Sequence, residues 1–187
     1  MDDAEAIRLL KGGDIGGLAA LVRRHQVRAV RAAFLITNDK PMAEDIVQDT
    51  FLRIYRRIRS NAREFDETLP FEAYLMRSVV NGSLNALRAQ RRLASLDDIP
   101  DPVDDLLARA ASVETEIEQE QVRSEVLTAV ASLGPKQRAV IVQRYYLGMS
   151  EREMALALEA PRGTIKWLLS TARDRLRTLL RPGRSQE

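Results

Sequence analysis

The sequence predicts an all-α fold in which two small helical domains are joined by an acidic, flexible linker. Apolar residues recur every three or four positions along several stretches, which is the period of a helix with one buried face. Aromatic residues make up 5% of the chain and charged residues 30%, a composition that favours small helical bundles over a large sheet core. Residues 97–105, DDIPDPVDD, cannot bury a core and indicate a linker. We place the domains at residues 1–93 and 118–187, with the linker at 94–117.

Charge is segregated along the chain, although the formal net charge is only +2. Residues 97–121 carry nine acidic residues and one arginine, which leaves eight net negative charges. Arginines are the only charged residues in the preceding segment 73–96. Charge therefore runs in a basic, acidic, basic order along the chain.

Three helices are predicted before residue 60. The first two span residues 4–10 and 18–36, separated by a glycine-rich break. Asp39 can cap the third helix, which has Pro41 in its first turn. The apolar positions of this third helix predict an inward stripe of Ala43, Val47, Phe51, Ile54 and Ile58. The lone His25 stands between two polar residues and is predicted to lie on the surface.

The outward side of the third helix carries Asp45, Gln48, Asp49 and Leu52. The helix dipole accounts for acidic residues in the first turns, but it does not account for an exposed leucine beside Gln48. This combination predicts a docking face with a small apolar centre and an acidic rim.

A long helix is predicted to begin at Pro70, after a loop that contains Phe65. Its core candidates are Phe71, Tyr74, Leu75, Val79 and Leu87. Asn81 and Asn85 are four residues apart and therefore share a face. Carboxamides can hydrogen-bond the edges of an exposed base, and arginines can hold phosphate. The arginines at the end of this helix are Arg88, Arg91 and Arg92. The alternative interpretation is purely structural: the asparagines are ordinary polar surface residues, and Gly82 between them marks a weak point in the helix.

The second domain is predicted to begin with helices over residues 122–133 and 135–147, split by a Gly-Pro pair. The core candidates of these helices are Val126, Val130, Leu133, Val140, Ile141, Tyr145 and Leu147. They are expected to support the two helices that follow.

Residues 150–180 read as two helices joined by a tight turn. Ser150 and Glu153 form a capping box, so a helix begins there, and Pro161 requires it to end. The second helix runs from about Arg162, with an inward stripe of Ile165, Leu169, Ala172, Leu176 and Leu179. Its other side is strongly basic. A short helix, a turn and a longer basic helix are typical of a DNA-reading helix-turn-helix, although an amphipathic helix in an ordinary bundle has the same pattern.

Two motif blocks carry a resemblance to a known family: AEDIVQDTFLRIYR in the first domain and LGPKQRAVIVQRYYLGMSEREMALALEAPRGTIK in the second. With the paired asparagines and an acidic linker between them, the chain resembles an extracytoplasmic-function (ECF) sigma factor of bacterial RNA polymerase. The resemblance runs from about Ile7 to Leu180.

This resemblance implies a factor that binds core RNA polymerase and promoter DNA. Region 2 would melt and read the minus-10 element, region 4 would read the minus-35 element, and the linker would thread the polymerase channels. The docking face would bind the clamp coiled coil of the largest subunit, and a further contact is expected with the flap.

The resemblance also assigns residues to the two promoter elements. Asn81 and Asn85 would hold a flipped-out minus-10 base, in a pocket to which the loop of Phe65 contributes. The whole minus-10 set is Phe65, Tyr74, Asn81, Asn85, Arg88, Arg91 and Arg92. The minus-35 set is Arg162, Thr164, Lys166, Trp167, Ser170 and Arg173.

Two positions depart from the family pattern. Tyr74 stands where the family usually has tryptophan, and it can still pack or stack. Trp167 lies about 200° around the helix from Ile165 and should point away from the core, which favours contact with DNA or a partner. The minus-35 sequence therefore cannot be inferred from relatives.

No enzyme, cofactor or metal site is expected, because the chain has no cysteine, one histidine and no glycine-rich phosphate loop. No apolar run is long enough for a membrane span, and the acidic N-terminus is unlike a signal peptide. We expect a cytoplasmic protein without membrane insertion, associated with the nucleoid when active.

Two other classes of protein share parts of the pattern. A helix-turn-helix regulator would bind a palindromic operator without polymerase, and an adaptor or anti-sigma bundle would leave its basic helices facing solvent. For the sigma factor interpretation, the absence of a sensor site in the sequence predicts control by sequestration, with an anti-sigma factor as a further partner.

Overall fold

The computed structural model describes residues 1–60, 70–94 and 114–180, apart from the side chains of 94 and 114–120. All the regular elements in these ranges are helical, as the sequence predicts. The first half contains α1 (Asp3–Gly12), α2 (Gly16–Thr37), α3 (Lys40–Ser60) and α4 (Phe71–Ala94). The second half contains α5 (Glu114–Ala131), α6 (Pro135–Ile141), a π-helical turn (Val142–Tyr146), α7 (Glu151–Ala157) and α8 (Arg162–Leu179).

Two helices of the first half, α1 and α3, begin at side-chain caps. The Asp2 carboxylate accepts a hydrogen bond of 2.8 Å from the Glu5 amide and so begins α1. The predicted cap at Asp39 is confirmed, because its Oδ1 accepts from the Met42 amide at 2.9 Å. Each cap satisfies a backbone donor that would otherwise have no partner within the helix.

Four helices share the core of the first half. All five residues of the predicted α3 stripe are buried, and Ile46 and Thr50 are buried beside them. Among the predicted α4 core residues, Tyr74 is half-buried and the others are buried. Gly17 allows α1 to approach α2, since a Cβ there would lie 2.2 Å from the Ala6 carbonyl oxygen.

The prediction that His25 lies on the surface is wrong. Only 6% of this residue is exposed, and its ring lies 5.4 Å from the ring of Phe71. Its Nε2 is 2.9 Å from Oδ2 of Asp3, on α1. The carboxylate supplies a partner that the local sequence around His25 does not reveal, and burial of the imidazole becomes possible.

The second half has a smaller core, made mainly by α6, α7 and α8. Ile165, Leu169 and Ala172 of the predicted stripe are buried and Leu176 is half-buried, whereas Leu179, the last residue of α8, is exposed. Leu168 is buried in addition. Val130, Leu133, Val140 and Ile141 are buried as predicted.

Two core predictions in the second half are wrong. Tyr145 is 64% exposed, and Val126 is exposed on α5. Tyr145 lies in the π-helical turn, whose wider winding changes which side chains face inward, so a 3.6-residue period misplaces it.

The two halves also pack against each other. Ala139 of α6 and Val142 of the π-helical turn are buried within the core of the first half. Helices α2 and α4 provide the surface that receives them. Within the residues described, no helix is both long and apolar enough to span a bilayer.

Candidate functional site: two nucleic-acid faces and a docking face

The predicted docking face lies on the solvent side of α3. Asp45, Gln48 and Asp49 are exposed, and Leu52 is 44% exposed. Ile46 and Val47 anchor the opposite side of the same turns in the core. The core thus fixes which way the four predicted side chains point.

An apolar groove of about 680 Å³ continues this face towards α2. Gln48 and Leu52 line one wall, and Val22, Val27 and Val30 of α2 line the other. Sequence analysis missed the α2 wall. The signal for it was Val27, which stands between Gln26 and Arg28, and 58% of which is exposed.

The asparagine pair lies on the outer part of α4. Asn81 is half-buried and Asn85 is exposed. Arg88 Nη1 donates to Asn85 Oδ1 at 3.3 Å, so the arginine orients this carboxamide with its NH₂ group available for other acceptors. Arg91 and Arg92 follow on the exposed end of the helix.

Gly82 separates the two asparagines and faces α3. A Cβ at this position would lie 3.0 Å from Ile46 Cγ2, which is a tight contact. The glycine therefore permits close packing of α4 on α3, and it is more than a weak point in the helix.

Tyr74 is held near the start of α4. The Arg57 Nη1 donates to its hydroxyl at 3.0 Å, and the Arg57 guanidinium carbon lies 5.6 Å from the ring centroid. This cation–π contact orients the ring. Phe65, which is predicted to belong to the same DNA-binding set, lies outside the described residues.

The predicted capping box begins α7. The Ser150 amide donates to Glu153 Oε2 at 2.7 Å, and the Glu153 amide donates to the Ser150 hydroxyl at 3.3 Å. The side-chain and backbone hydrogen bonds with Ser150 hold the pKa of Glu153 below its ordinary value of 4.5. The box thereby fixes the start of the first helix of the helix-turn-helix.

Helix α8 presents the predicted second DNA face. Its inward residues are Ile165, Leu168, Leu169 and Ala172. Every residue of the predicted set is exposed: Arg162, Thr164, Lys166, Trp167, Ser170 and Arg173. Trp167 is 63% exposed, which confirms that it points away from the core.

Two features help to set the position of α8, a hydrogen bond and a left-handed backbone residue, and sequence analysis missed both. Gln137 Nε2 of α6 donates to Thr171 Oγ1 at 3.3 Å and ties the two helices together. The turn between α7 and α8 contains Glu159 with φ of 49°, in the left-handed region that favours glycine. The sequence predicts a turn here from Pro161, but a glutamate gives no sign of the left-handed backbone at residue 159.

In the part of the chain that is described, no cluster of three or more histidine, cysteine or acidic residues could hold a metal ion. The arrangement is a helical protein with two separate exposed basic faces, at the end of α4 and along α8, and an acidic face on α3. These are the features of a DNA-binding protein that also docks on another protein.

Comparisons with known families agree with this class. The Sigma-70 region 2 model matches residues 21–93, and the Sigma-70, region 4 model matches residues 123–176. The ECF RNA polymerase sigma factor SigM of Mycobacterium tuberculosis is 33% identical over 180 residues, which are 95% of this chain and 84% of that protein. The RNA polymerase sigma-E factor of Streptomyces avermitilis is 32% identical over 166 residues, covering 88% and 86% of the two chains.

A further relative is longer than this chain. The ECF RNA polymerase sigma factor SigE of Mycolicibacterium smegmatis is 28% identical over 160 residues, which are 86% of this chain and 60% of that protein. The chain therefore spans about 60% of this relative's length.

Solved structures share the fold. The structure of CnrH in complex with the cytosolic domain of CnrY superposes with a TM-score of 0.63 at 24% identity, covering 95% of this chain and 96% of that one. RpoE from Bartonella quintana, in complex with the anti-sigma factor NepR, gives 0.64 at 23% identity, covering 86% and 96%. The chain belongs to the ECF sigma factors of RNA polymerase, and so to the alternative transcription initiation factors.

Proposed function

We propose that this chain binds core RNA polymerase through α3 and reads promoters with two domains. Residues 1–93 form region 2, which acts on the minus-10 element, and residues 118–187 form region 4, which acts on the minus-35 element. Residues 94–117 join them. The observation that carries the proposal is the presence of a docking face and two basic faces on separate elements of one chain, within the segments matched by the two sigma family models.

The polymerase contact is assigned to Asp45, Gln48, Asp49 and Leu52, together with the apolar groove beside them. The clamp coiled coil of the largest subunit is the proposed partner for this face. An exposed leucine and valine beside acidic side chains suit a helical partner with apolar and basic positions, because buried apolar area gives affinity and the charged rim gives orientation. The groove adds apolar residues of α2 to this face, so it supports a protein contact more strongly than the exposed side of α3 alone.

The minus-10 contact is assigned to the asparagine pair and the arginines that follow. A base must leave the stack to be read by its edge, at a cost of about a few kcal/mol that the pocket must offset. The hydrogen bond from Arg88 to Asn85 supports this role, since it fixes the carboxamide before any DNA is bound. Tyr74 is near the start of the same helix, and Phe65 completes the proposed set.

The minus-35 contact is assigned to the exposed side of α8. Arg162, Lys166 and Arg173 supply charge for the phosphates, and Thr164 and Ser170 can hydrogen-bond either bases or phosphates. Trp167 is a large exposed aromatic residue on this helix, and we assign it to DNA contact. The flap of polymerase is the proposed protein partner of region 4.

Three further assignments come with this function. The protein is a cytoplasmic initiation factor, associated with the nucleoid when active, and it has no catalytic activity of its own. An anti-sigma protein that covers region 2 or region 4 controls it. RpoE from B. quintana was solved in complex with an anti-sigma factor, which supports this kind of control.

Run-off transcription with purified core polymerase and a promoter library tests the proposal. Specific initiation that requires the chain is the expected result. Asp49→Lys combined with Leu52→Ala should reduce core binding in a titration, while the matched reversal Glu125→Lys, at an exposed acidic residue of α5, should leave it unchanged. Binding of the free chain to a palindromic operator, with no polymerase dependence, would instead identify a conventional regulator.

A further inference from the structure

Helix α3 ends in a segment rich in arginine, and two of these arginines lie towards different neighbours. Arg57 Nη1 donates to the Tyr74 hydroxyl of α4 at 3.0 Å. Arg59 lies towards the end of α1 instead, since its Nη1 is 3.0 Å from the place that a Cβ at Gly13 would take. Of these two arginines, Arg57 is therefore the one on the α4 side, where the proposed minus-10 set lies.

Both side chains of this hydrogen bond stand on backbone that the core holds. Ile54 and Ile58 lie in the same turns of α3 as the arginine, and both are buried. Phe71 and Leu75 lie in the same turns of α4 as the tyrosine, and both are buried as well. A contact between two packed helices keeps its geometry better than a contact on a loop, so the arginine and the tyrosine meet in a defined position.

The chemistry of the contact requires the tyrosine. A phenolic oxygen accepts hydrogen bonds, whereas an indole only donates and a phenylalanine ring has neither group. Tyr74 stands where the ECF family usually has tryptophan, so Arg57 finds an acceptor that the usual side chain lacks. The guanidinium carbon also lies 5.6 Å from the ring centroid, within the range of a cation–π contact. Arg57 and Tyr74 are therefore a matched pair in this chain.

The charge of Arg57 is available for a further partner. Among the residues that the structure describes, its guanidinium has no carboxylate partner, and the side chain is exposed. A guanidinium carries several N–H donors in a planar fork, so one of them can bind the hydroxyl while others bind a phosphate oxygen. The same side chain can thus hold the tyrosine ring and a DNA phosphate at once.

We propose that Arg57 and Tyr74 act as one unit of the minus-10 site, in which Arg57 positions the tyrosine ring for contact with a base and binds a phosphate beside that base. This inference rests on the proposed function, because it requires the chain to open promoters together with core polymerase. It adds a residue of α3 to a set that otherwise belongs to α4 and the loop of Phe65.

A double-mutant cycle on promoter opening by reconstituted holoenzyme tests the unit. Arg57→Ala and Tyr74→Phe should each reduce the equilibrium constant for opening. A ring that one change has already released loses nothing more from the other. The double variant should therefore lose about two- to ten-fold less than the product of the single losses, as expected for the ordering of one side chain. Single losses that simply multiply would overturn the inference.

Arg59→Ala is the matched control, because it removes the same type of residue from the same end of α3. Its effect should multiply with that of Tyr74→Phe, since its guanidinium lies beside α1. Both arginines are exposed, so the thermal midpoints of the two alanine variants should stay close to that of the parent. The same departure from multiplication with Arg59 as with Arg57 would indicate a general effect of charge and overturn the pairing.

Tyr74→Trp introduces the usual residue of the family and removes the acceptor. In this background Arg57→Ala should reduce opening by a smaller factor than in the parent, because only the phosphate contact remains to be lost. An equal factor in both backgrounds would show that the tyrosine hydroxyl is irrelevant to Arg57.

Two conservative variants separate ring placement from phosphate binding. Arg57→Gln keeps a donor for the hydroxyl but loses the charge, so the slope of log affinity against log salt should become shallower by about 0.7–0.9, the value of one phosphate contact. Arg57→Lys keeps the charge and the slope, but it lacks the planar fork that binds both partners. An unchanged slope in Arg57→Gln would refute the phosphate contact.

Fluorescence of 2-aminopurine, placed at one minus-10 position at a time, reports where the ring lies. Arg57→Lys and Tyr74→Phe should change the signal at the same position and leave the other positions as in the parent. A purely structural role of Arg57 would change the signal at all positions alike or at none, and either result would overturn the inference.

The parent holoenzyme separates failure of this inference from failure of the proposed function. If it opens promoters and the single losses multiply, this inference alone is wrong. If it opens no promoter of the library, the proposed function is wrong and this inference is refuted with it.

Discussion

The two halves of this molecule are stabilised in different ways. The first half uses long helices whose apolar stripes meet in one core, and most of its buried residues are aliphatic. The second half adds two short helices, α6 and α7, a π-helical turn and a capping box to its longer helices α5 and α8. Both halves bury polar residues: His25, Thr37, Thr50 and Ser83 in the first, and Arg138 and Gln143 in the second. In the first half each of these polar side chains has a hydrogen-bond partner, the Asp3 carboxylate for His25 and backbone carbonyls of their own helices for the three hydroxyls.

The buried polar groups of the second half are less completely paired. The side-chain nitrogen and oxygen of Gln143 have no hydrogen-bond partner among the described residues, and neither has Nε of Arg138. Arg138 still donates through Nη2 to the Leu133 carbonyl at 3.3 Å. The second half is therefore expected to be the less stable of the two.

The largest expected effect on stability comes from creating a cavity in either core. Leu75→Ala in α4 and Leu169→Ala in α8 remove side chains that are almost completely buried, and each should lower the free energy of unfolding by about 2–5 kcal/mol. Calorimetry of both variants compares the halves directly. Because Ala139 and Val142 join the two cores, one cooperative transition is expected. Two separate transitions would show that the halves unfold independently.

Removal of the unpaired amide should stabilise the second half. Gln143→Leu keeps a similar volume and eliminates a buried carboxamide, so the free energy of unfolding should rise by about 1–3 kcal/mol. Denaturant titration measures it, with Gln121→Leu at an exposed position as the control. A decrease in stability would indicate that Gln143 has a partner that the packing does not reveal.

The next prediction concerns the first half, where we propose that the asparagines of α4 read a base and its arginines hold phosphate. Asn81→Ala and Asn85→Ala should each relax preference at one minus-10 position, by about 1–3 kcal/mol if a bidentate contact is lost. Arg91→Ala should instead weaken binding on all promoters and flatten its salt dependence.

Reconstituted holoenzyme, tested on promoters varied one base at a time at two salt concentrations, distinguishes these outcomes. Equal loss of activity on every promoter for both asparagine variants would mean that these residues are structural.

The smallest effect concerns the capping box of α7. Ser150→Ala removes the cap and should cost about 1 kcal/mol. Because the folded-state pKa of Glu153 is lowered, its contribution is present above the ordinary value of 4.5 and is lost as the pH falls through the lower folded value. Stability of the parent protein should therefore decrease in that acidic range, and Ser150→Ala should show a weaker decrease. Parallel pH profiles would remove this role.

Periodicity and capping chemistry predicted most of the helices and cores. The α3 stripe, the caps at Asp39 and Ser150, and the outward direction of Trp167 follow from local spacing, which is why sequence analysis found them. Burial of His25 depends on Asp3, 22 residues away, and no local pattern contains that pair.

In the candidate site, too, local spacing predicted some features and the packing of distant segments determined the others. Each predicted DNA or docking residue that the structure describes occupies an accessible or half-buried position, because helical faces can be derived from spacing. The α2 wall of the groove, the Gln137–Thr171 bond and the left-handed turn at Glu159 depend on how helices pack together. Tyr145 was misplaced because a π-helical turn changes the period itself.

Because glycine has no side chain, Gly82 has a consequence for how promoter preference can change. One side of α4 carries the asparagines, and the other touches α3, whose outer face is the proposed polymerase dock. An alanine there would place its Cβ 3.0 Å from Ile46 Cγ2, so the Ile46 side chain or the two helices would have to shift by a few tenths of an ångström. If the asparagines read a base as proposed, they can be exchanged to change base preference at little structural cost, whereas a larger side chain at position 82 would shift α4, and the asparagines with it, relative to α3. Laboratory evolution of new promoter specificity should therefore accumulate substitutions around this glycine and retain the glycine itself.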